Sequence, residues 1–429
     1  MKRILNIIIA LVAFAVIVPS YTANAAQRSS KKVVKTGIDV LESNGFKQLQ
    51  GKKIGLVTNP SGVNNKLVST VDILANAPGV ELVALYGPEH GVRGDIHAGD
   101  KVSDDVDPKT GVPVYSLYGK TRKPTPEMLK DVDAIVYDIQ DNGCRSFTFI
   151  STLGLLMEAA AENGKEVIVL DRPNPLGGNK VEGNIVEAGN FSFVSQFEIP
   201  YLYGLTVGEL AKMLNEEGML KGEKGKNEKV VKCNLTVVPM EGWKRDMVYT
   251  DTRLPWVLPS PHMPQAETSY YYPATGILGE LGYMSIGVGY TLPFQMVAAQ
   301  WINAAEFADA LNALALPGVT FRPINIKPFY SVGKGENMGG VQIYITDYAK
   351  AHLTSIQFYI MQEVARMYPE HEVMANADKG RFRMFDLVSG SNFIREKFTE
   401  TQQYKDIEAY WNKDVESFKK KSAKYYLYK

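Results

Sequence analysis

Four apolar runs in the first half of the chain each end abruptly in a turn of Gly, Pro, Asn and charged residues. The runs span Lys53–Val57, Leu82–Tyr86, Ala134–Tyr137 and Glu166–Leu170. Short apolar runs bounded by turn residues are typical of strands that are buried on both faces of a sheet. Because helical sequence separates the runs, the strands are expected to be parallel, with all four polar ends on one edge. The pattern predicts an α/β fold with a mostly parallel sheet.

The turns after these strands carry the candidate functional side chains, because open α/β sheets bind ligands beyond the carboxyl ends of their strands. The turn at 87–95 presents Glu89, His90, Arg93 and Asp95. The other three turns contribute Asn59, Asp138, Gln140, Asp141, Arg145, Asp171, Arg172 and Asn174. A structural alternative stays open for each of them, since solvated charges and turn-capping Asp or Asn residues are common in loops.

The repeated strand and helix pattern continues to about His262, and its helices have recognisable ends. Helices are predicted over 150–163, ended by Gly164, and over 206–217, with Thr206 and Glu209 forming a capping box. Four prolines then fall within LPWVLPSPHMP at 254–264, which suggests a stiff crossing between domains. We therefore predict a first domain over 36–262 and a smaller α+β domain over 263–429.

The N-terminus reads as a secretory signal peptide over residues 1–25. Lys2 and Arg3 precede an apolar stretch, and Ala23-Asn24-Ala25 supplies a small-x-small cleavage pattern. We expect an exported protein, periplasmic or secreted, with no membrane anchor after cleavage. Lys plus Arg and Asp plus Glu both number 47, which argues against a nucleic-acid partner. The two cysteines, Cys144 and Cys233, could pair outside the cytoplasm, but a chain of this size does not need a disulfide framework.

Several common chemistries lack their motif in this sequence. No Gly-x-Gly-x-x-Gly turn follows the first strand, no Walker A sequence is present, and no Gly-x-Ser-x-Gly elbow ends a strand. We therefore expect no cofactor. Glu89, His90, Asp95, His97 and Asp100 could together hold a metal ion, although no diagnostic zinc spacing occurs. Paired carboxylates suit glycoside hydrolysis, while a metal-dependent cell-wall hydrolase and a periplasmic saccharide-binding protein without catalysis remain alternatives.

Longer motifs at the same positions carry a resemblance to a known family. They are VTNPSGV (57–63), YGPEHGVRGD (86–95), DIQDNGCRSFTFISTL (138–153), LDRPNPLGG with VEG (170–178 and 181–183), and PHMP with Glu267 and Tyr272-Pro273. In these motifs the chain resembles the NamZ-type exo-β-N-acetylmuramidases. The resemblance implies a Rossmann-like catalytic domain, a smaller second domain closing a cleft, and release of N-acetylmuramic acid from the non-reducing end of peptidoglycan-derived saccharides.

The resemblance implies the role of Glu89, and the chemistry of the other side chains suggests a role for each of them. Glu89 is the expected catalytic carboxylate, which we interpret as a general acid, with His90 orienting it and Asp138 or Asp141 supplying the second function. Arg145 or Arg172 is expected to bind the lactyl carboxylate of N-acetylmuramic acid through bidentate hydrogen bonds. The alternative for each arginine is a structural salt bridge. The remaining substrate-binding candidates are Asn59, Arg93, Gln140, Asp171, Asn174, His262 and Glu267, and Tyr270–Tyr272 could stack on sugars.

One segment departs from the family pattern. Many members carry Ser-Glu-Gly-Arg-Gly after the Tyr-Pro motif, whereas this chain has Ser285-Ile286-Gly287-Val288-Gly289. The acid and the arginine are both lost, so the second domain's side of the pocket is expected to differ here.

Overall fold

The computed structural model describes residues 33–94, 105–222 and 229–429. The signal peptide predicted over 1–25 lies outside these residues, as do Asp95, His97 and Asp100 of the possible metal cluster. Val34–Lys429 pack as one unit, and the division into domains near residue 262 stays a prediction.

The first part of the chain alternates strands and helices around a central sheet. Its helices are α1 (Gly37–Ser43), α2 (Thr70–Ala75), α3 (Pro126–Leu129), α4 (Phe149–Glu162) and α5 (Val207–Glu216). Its strands are β1 (Lys53–Thr58), β2 (Glu81–Gly87), β3 (Asp105–Val106), β4 (Pro113–Ser116), β5 (Ala134–Asp138), β6 (Glu166–Leu170), β7 (Val181–Glu182), β8 (Leu202–Tyr203), β9 (Lys221–Gly222), β10 (Lys229–Val230) and β11 (Asn234–Val238).

Seven of these strands form the central sheet in the order β11-β6-β5-β1-β2-β4-β3. All neighbours pair in parallel except β3, which is antiparallel to β4. The chain runs outward from β1 through β2 to β4, then returns to β5 beside β1 and runs outward the other way. This order places a crevice between β1 and β5, which is the switch point of a Rossmann-like sheet. The predicted fold class is confirmed.

Alternating side chains explain why the strands read as continuous apolar runs. Leu56, Val136 and Ile168 pack on the face that α1 and α2 cover. Tyr137 and Val169, each next to one of these in sequence, pack on the opposite face with α4 and α5. Both faces are buried under helices, so nearly every position in the strands is apolar.

The second part of the chain packs helices around a small antiparallel sheet. It comprises α6 (Thr268–Gly279), β12 (Met296–Ala299), α7 (Ala304–Ala313), β13 (Val319–Ile326), β14 (Met338–Ile345), α8 (Ile356–Met367), α9 (Val373–Asn376), α10 (Phe382–Ser389), α11 (Asn392–Thr401), α12 (Lys405–Trp411) and α13 (Val415–Ser422). The strand order is β12-β14-β13. Short 3-10 turns occur at Tyr249–Thr252, Leu353–Ser355, Pro369–His371, Lys379–Arg381 and Ala423–Tyr425.

The end of the chain returns to the first part of the structure. Val415, Phe418 and Tyr425 belong to the apolar cluster on the α4 and α5 face of the large sheet. The Tyr428 hydroxyl donates to Asp171 Oδ2 at 2.5 Å, directly after β6. The C-terminal residues therefore help to hold the edge of the sheet where the candidate residues lie. Among the described residues, no helix is both long and apolar enough to cross a bilayer.

Candidate active site

The turns after β1, β5 and β6 meet at the carboxyl edge of the sheet, as the parallel order requires. Thr58 Oγ1 donates to the Asp138 carbonyl at 2.8 Å, and the Gln140 amide donates to Ser61 Oγ at 2.9 Å. Gln140 Nε2 also reaches the Pro173 carbonyl at 2.7 Å. These bonds connect the three turns to one another, so their shape is fixed by the protein itself.

Asp138 and Arg172 form a buried ion pair within this edge. Arg172 Nε and Nη2 donate to the two Asp138 carboxylate oxygens at 2.5 and 2.8 Å, and Thr70 Oγ1 donates to Oδ2 at 2.5 Å. Arg172 Nη2 also contacts the Val63 carbonyl at 2.8 Å. The Asp138 side chain is fully buried and that of Arg172 is 4% exposed. This arrangement favours the structural alternative for both residues, a salt bridge that joins β5 to the turns after β1 and β6.

Three further candidates act as caps in the structure. Asp171 accepts hydrogen bonds from Thr206 Oγ1 and the Gly208 amide, each at 2.8 Å, and burial raises its pKa to about 7. Asn59 Oδ1 accepts from the Ser61 amide at 3.0 Å. Asn174 Oδ1 likewise accepts from the amide two residues on, at 2.9 Å. The two asparagine contacts are those of Asx turns, whereas Asp171 joins the end of β6 to the start of α5.

Arg145 is completely enclosed by the protein. Its guanidinium donates to Ser195 Oγ at 3.1 Å and to four backbone carbonyls at 2.7–3.2 Å, those of Asn184, Ile199, Val388 and Ser389. An arginine has five N–H donors, and all of them are used. Burial lowers the pKa of Arg145 to about 10. In this structure the guanidinium has no donor left for a lactyl carboxylate, and its observed role is to join distant loops.

Asp141 and Gln140 are also buried, but they keep unused hydrogen-bonding capacity. The Asp141 carboxylate accepts from the Tyr203 hydroxyl and, at 2.8 Å, from the Gly143 amide. Burial nevertheless raises the pKa of Asp141 to about 6. Asp141 Oδ1 and Gln140 Oε1 have no hydrogen-bond partner among the described residues. Asp141 is thus shielded from solvent in the turn after β5.

Glu89 occupies a different setting, in the turn directly after β2. Its side chain is partly exposed, whereas the following His90 is buried. His90 has a φ of 75° and Gly91 one of 73°, so the chain bends sharply where the carboxylate projects. The Tyr118 hydroxyl, just beyond β4, interacts with Glu89. Burial, the charge of Glu89 and hydrogen bonding to it raise the pKa of Tyr118 to about 12.

Tyr272, on α6, is a second aromatic residue whose pKa responds to the charge of Glu89. Its hydroxyl lies 3.3 Å from Ser146 Oγ, and its ring makes edge contacts with Phe147 and Phe294. Burial raises the pKa of Tyr272, and the charges of Glu280 and Glu89 add to the effect. Of the predicted aromatic wall, Tyr272 is the ring whose pKa responds to the charge of Glu89, while Tyr270 packs on Tyr348 with ring centroids 4.7 Å apart.

His262 lies on the same side of the site. Its Nε2 is 2.8 Å from the Tyr330 hydroxyl, which belongs to the loop between β13 and β14. Burial lowers the pKa of His262, and the charge of the neighbouring His90 lowers it further. We call the group formed by Glu89, Tyr118, Tyr272, His262 and Tyr330 the Glu89 site. Contacts join Glu89 to Tyr118 and His262 to Tyr330, while charge effects on pKa connect Tyr272 with Glu89 and His262 with His90.

Two predicted binding residues lie apart from these contacts. Arg93 donates to both Asp107 carboxylate oxygens at 2.8 and 3.0 Å and to Asp72 at 3.1 Å. The hydrogen bond from Arg93 contributes most to lowering the pKa of Asp107 to about 2. Glu267 is exposed at the start of α6, and its side chain makes no capping hydrogen bond.

Sequence reasoning missed three residues of this region: Tyr118, Tyr330 and Glu280. Within α6, Tyr272, Gly276 and Gly279 are partly exposed, and Glu280 continues this stripe at the C-cap. Burial raises the pKa of Glu280. The spacing of four residues from 272 to 276 to 280 is the signal that could have placed Glu280 beside Tyr272.

The described residues contain no group of three or more His, Cys, Asp or Glu side chains arranged to hold a metal ion. Cys144 and Cys233 are both buried and unpaired. At the Glu89 site the structure shows a partly exposed carboxylate together with phenol and imidazole groups. Such groups can transfer protons and bind sugar hydroxyls.

Comparisons with known proteins agree with this architecture. The N-terminal model of exo-β-N-acetylmuramidase NamZ matches residues 54–267, and the C-terminal model matches residues 270–428. The chain is 46% identical over 402 residues to peptidoglycan β-N-acetylmuramidase NamZ of Bacillus subtilis strain 168, covering 94% of this chain and 93% of the relative.

Two crystal structures of DUF1343 family proteins from Bacteroides fragilis NCTC 9343 have the same fold. One is 63% identical with a TM-score of 0.87, covering 92% of this chain and 99% of that one. The other is 26% identical with a TM-score of 0.72, covering 93% and 99% of the two chains. Together with the family models, these likenesses show that the chain belongs to the NamZ family of exo-β-N-acetylmuramidases.

Proposed function

We propose that this protein is an exo-acting glycosidase that releases N-acetylmuramic acid from the non-reducing end of peptidoglycan-derived saccharides. Its curated relative at 46% identity is a peptidoglycan β-N-acetylmuramidase. The structural observation that carries the proposal is the setting of Glu89, a partly exposed carboxylate after β2 that the Tyr118 hydroxyl contacts.

Glu89 would act as the general acid that protonates the leaving glycosidic oxygen. Glycoside hydrolysis by this route needs a carboxylic acid on one side of the bond and a second group near the anomeric carbon. Tyr118 would hold the Glu89 carboxylate in position, and the Tyr272 ring would form a wall against the sugar. His90 and His262 would orient these groups, in keeping with the buried position of one and the tyrosine contact of the other.

Glu280 is the best candidate for the second group. Asp138 is paired with Arg172, and Asp141 is buried, so neither presents an accessible carboxylate to the substrate. Glu280, the C-cap of α6, is partly exposed and continues the stripe that contains Tyr272, and the charges of Glu280 and Glu89 both raise the pKa of Tyr272. Glu280 would either stabilise the charge that develops at the anomeric carbon or activate the group that attacks this carbon.

We also propose that the protein works outside the cytoplasm, either in the periplasm or after secretion. The support for this is the sequence of the first 25 residues, with two basic residues, an apolar stretch and a small-x-small site. Substrate derived from peptidoglycan is present in that compartment, so the location and the activity are consistent. Comparing the N-terminus of the mature protein with the predicted cleavage after Ala25 would test this.

One assay separates the glycosidase from its alternatives. A chromogenic β-linked N-acetylmuramic acid substrate is incubated with the purified protein, with and without a chelator, and binding is measured in parallel. Turnover that does not respond to chelator is expected. Turnover abolished by chelator would indicate a metal-dependent hydrolase, and binding without turnover would indicate a saccharide-binding protein.

A further inference from the structure

A groove of about 750 Å³ opens at one end of the small antiparallel sheet. The end of β12, the end of β13 and the start of β14 meet there, and the apolar side chains of Ile302, Ile326 and Met338 are buried beneath it. The more exposed part of the lining consists of Tyr290, Gln300, Asn325, Lys327, Phe329 and Asn337. We call this the strand-end groove.

The lining combines an aromatic surface with free polar groups. The rings of Tyr290 and Phe329 are stacked, with centroids 5.9 Å apart and planes 18° from parallel, and Phe329 is 67% exposed. In the part of the chain that the structure describes, the side chains of Gln300, Asn325, Asn337 and Lys327 make no hydrogen bond or ion pair. An exposed aromatic platform with uncommitted amides and an ammonium group is suited to a ligand that has both apolar faces and many hydroxyls.

A short connection joins this groove to the Glu89 site. Phe329 lines the groove, and the next residue, Tyr330, places its hydroxyl 2.8 Å from His262 Nε2. The loop is held in place because the Phe329 amide donates to the Gly289 carbonyl at 2.8 Å. The fit at Gly289 is close: its φ is 95°, and an added Cβ would lie 2.0 Å from the Tyr330 carbonyl oxygen. The two sites therefore share one fixed loop.

We propose that the strand-end groove binds the sugars on the reducing-end side of the chain whose terminal residue lies at Glu89. This inference rests on the proposed function, since an enzyme that removes a terminal sugar leaves the rest of the saccharide outside the reacting position. Pyranose faces would stack on Phe329, the amides would bind hydroxyl and acetamido groups, and Lys327 would face the lactyl carboxylate of an internal muramic acid. The groove would thus favour longer saccharides.

A stem peptide is the competing occupant, and the position of the groove argues against it. Extended peptides commonly bind by adding a strand along an exposed sheet edge, where backbone groups are available. The groove lies at the ends of the strands and is lined by side chains. Sugar rings match this lining better than a peptide backbone does.

The test compares saccharides of different length in the full-length protein. The specificity constant kcat/KM is measured for a chromogenic β-N-acetylmuramic acid monosaccharide and for a peptide-free peptidoglycan tetrasaccharide. Phe329→Ala is expected to lower kcat/KM for the tetrasaccharide by about three- to ten-fold, the range of one aromatic contact, and to leave the monosaccharide unchanged. Lys327→Met should give the same selective loss. Tyr344→Ala is the matched control, because Tyr344 is an exposed aromatic residue near the other end of β14.

Each other outcome overturns the proposal in an identifiable way. Equal losses on both substrates would place Phe329 in the terminal-sugar site, and no loss on either would show that the groove is unused. A tetrasaccharide that carries stem peptides is measured in parallel, and a loss confined to that substrate would identify the stem peptide as the occupant. If the wild type turns over neither substrate, the proposed function fails. Calorimetric titration of the tetrasaccharide into wild type and Phe329→Ala then tests saccharide binding in the groove separately. Equal affinities would refute binding at the strand-end groove.

Discussion

Replacing Arg145 by Lys should destabilise the protein strongly, because every donor of this guanidinium is used inside the fold. Five contacts, four of them to backbone carbonyls, are made at 2.7–3.2 Å. An ammonium group has three donors, so at least two buried acceptors would lose their partner. Each buried unsatisfied group costs about 1–3 kcal/mol, which gives a loss of about 2–6 kcal/mol. Typical total stabilities are about 5–15 kcal/mol.

Thermal unfolding followed by circular dichroism measures this effect, with Arg322→Lys as an exposed control. A fall in the melting temperature of roughly 5 °C or more is expected for Arg145→Lys, and none for the control. The sequence-based alternative, a lactyl-binding arginine, predicts the reverse: normal stability and a weakened preference for N-acetylmuramic acid over N-acetylglucosamine. That pattern would refute the structural role.

Three further predictions concern the carboxylates and their neighbours. Tyr118→Phe should lower kcat by roughly ten-fold without changing the melting temperature, because the hydroxyl that positions Glu89 is lost. An unchanged kcat would show that Tyr118 does not take part in the site. Glu280→Gln should lower kcat by at least roughly ten-fold and remove one limb of the pH–rate profile, whereas a profile parallel to that of the wild type would exclude Glu280 as the second group. Burial raises the pKa of Asp141 from its ordinary value of 3.8 to about 6 in the folded protein. Protonation of Asp141 therefore stabilises the folded state. This stabilisation is complete below pH 3.8 and is lost as the pH rises through 6. The melting temperature of the wild type relative to Asp141→Asn should therefore increase as the pH falls from about 8 to about 5, and a difference independent of pH would contradict the raised pKa.

Local sequence signals predicted much of the fold. The predicted helices at 150–163 and 206–217 are observed as Phe149–Glu162 and Val207–Glu216, each within one residue at both ends. Thr206 and Glu209 form the predicted capping box. These features depend on hydrophobic period and cap chemistry, which neighbouring residues determine.

The roles of polar turn residues could not be predicted in the same way. Arg145 contacts backbone near residues 184, 199 and 388, so its role depends on loops far away in sequence. Asp171 accepts a hydrogen bond from the hydroxyl of Tyr428, at the end of the chain. Tyr330 and Glu280 reach the Glu89 site only because the second part of the chain folds against the first. A strand-turn pattern indicates where side chains emerge, but tertiary packing decides which of them stay accessible.

The most direct test of the central claim is the turnover of Glu89→Gln on a chromogenic β-N-acetylmuramic acid substrate, with Glu306→Gln on α7 as an exposed control. Glutamine keeps the size of the side chain and removes the proton that the leaving oxygen requires. We expect a folded variant with the melting temperature of the wild type and a kcat lower by at least roughly 10²-fold, while the control keeps full activity. A Glu89→Gln variant with nearly normal turnover would contradict the assignment of Glu89 as the general acid.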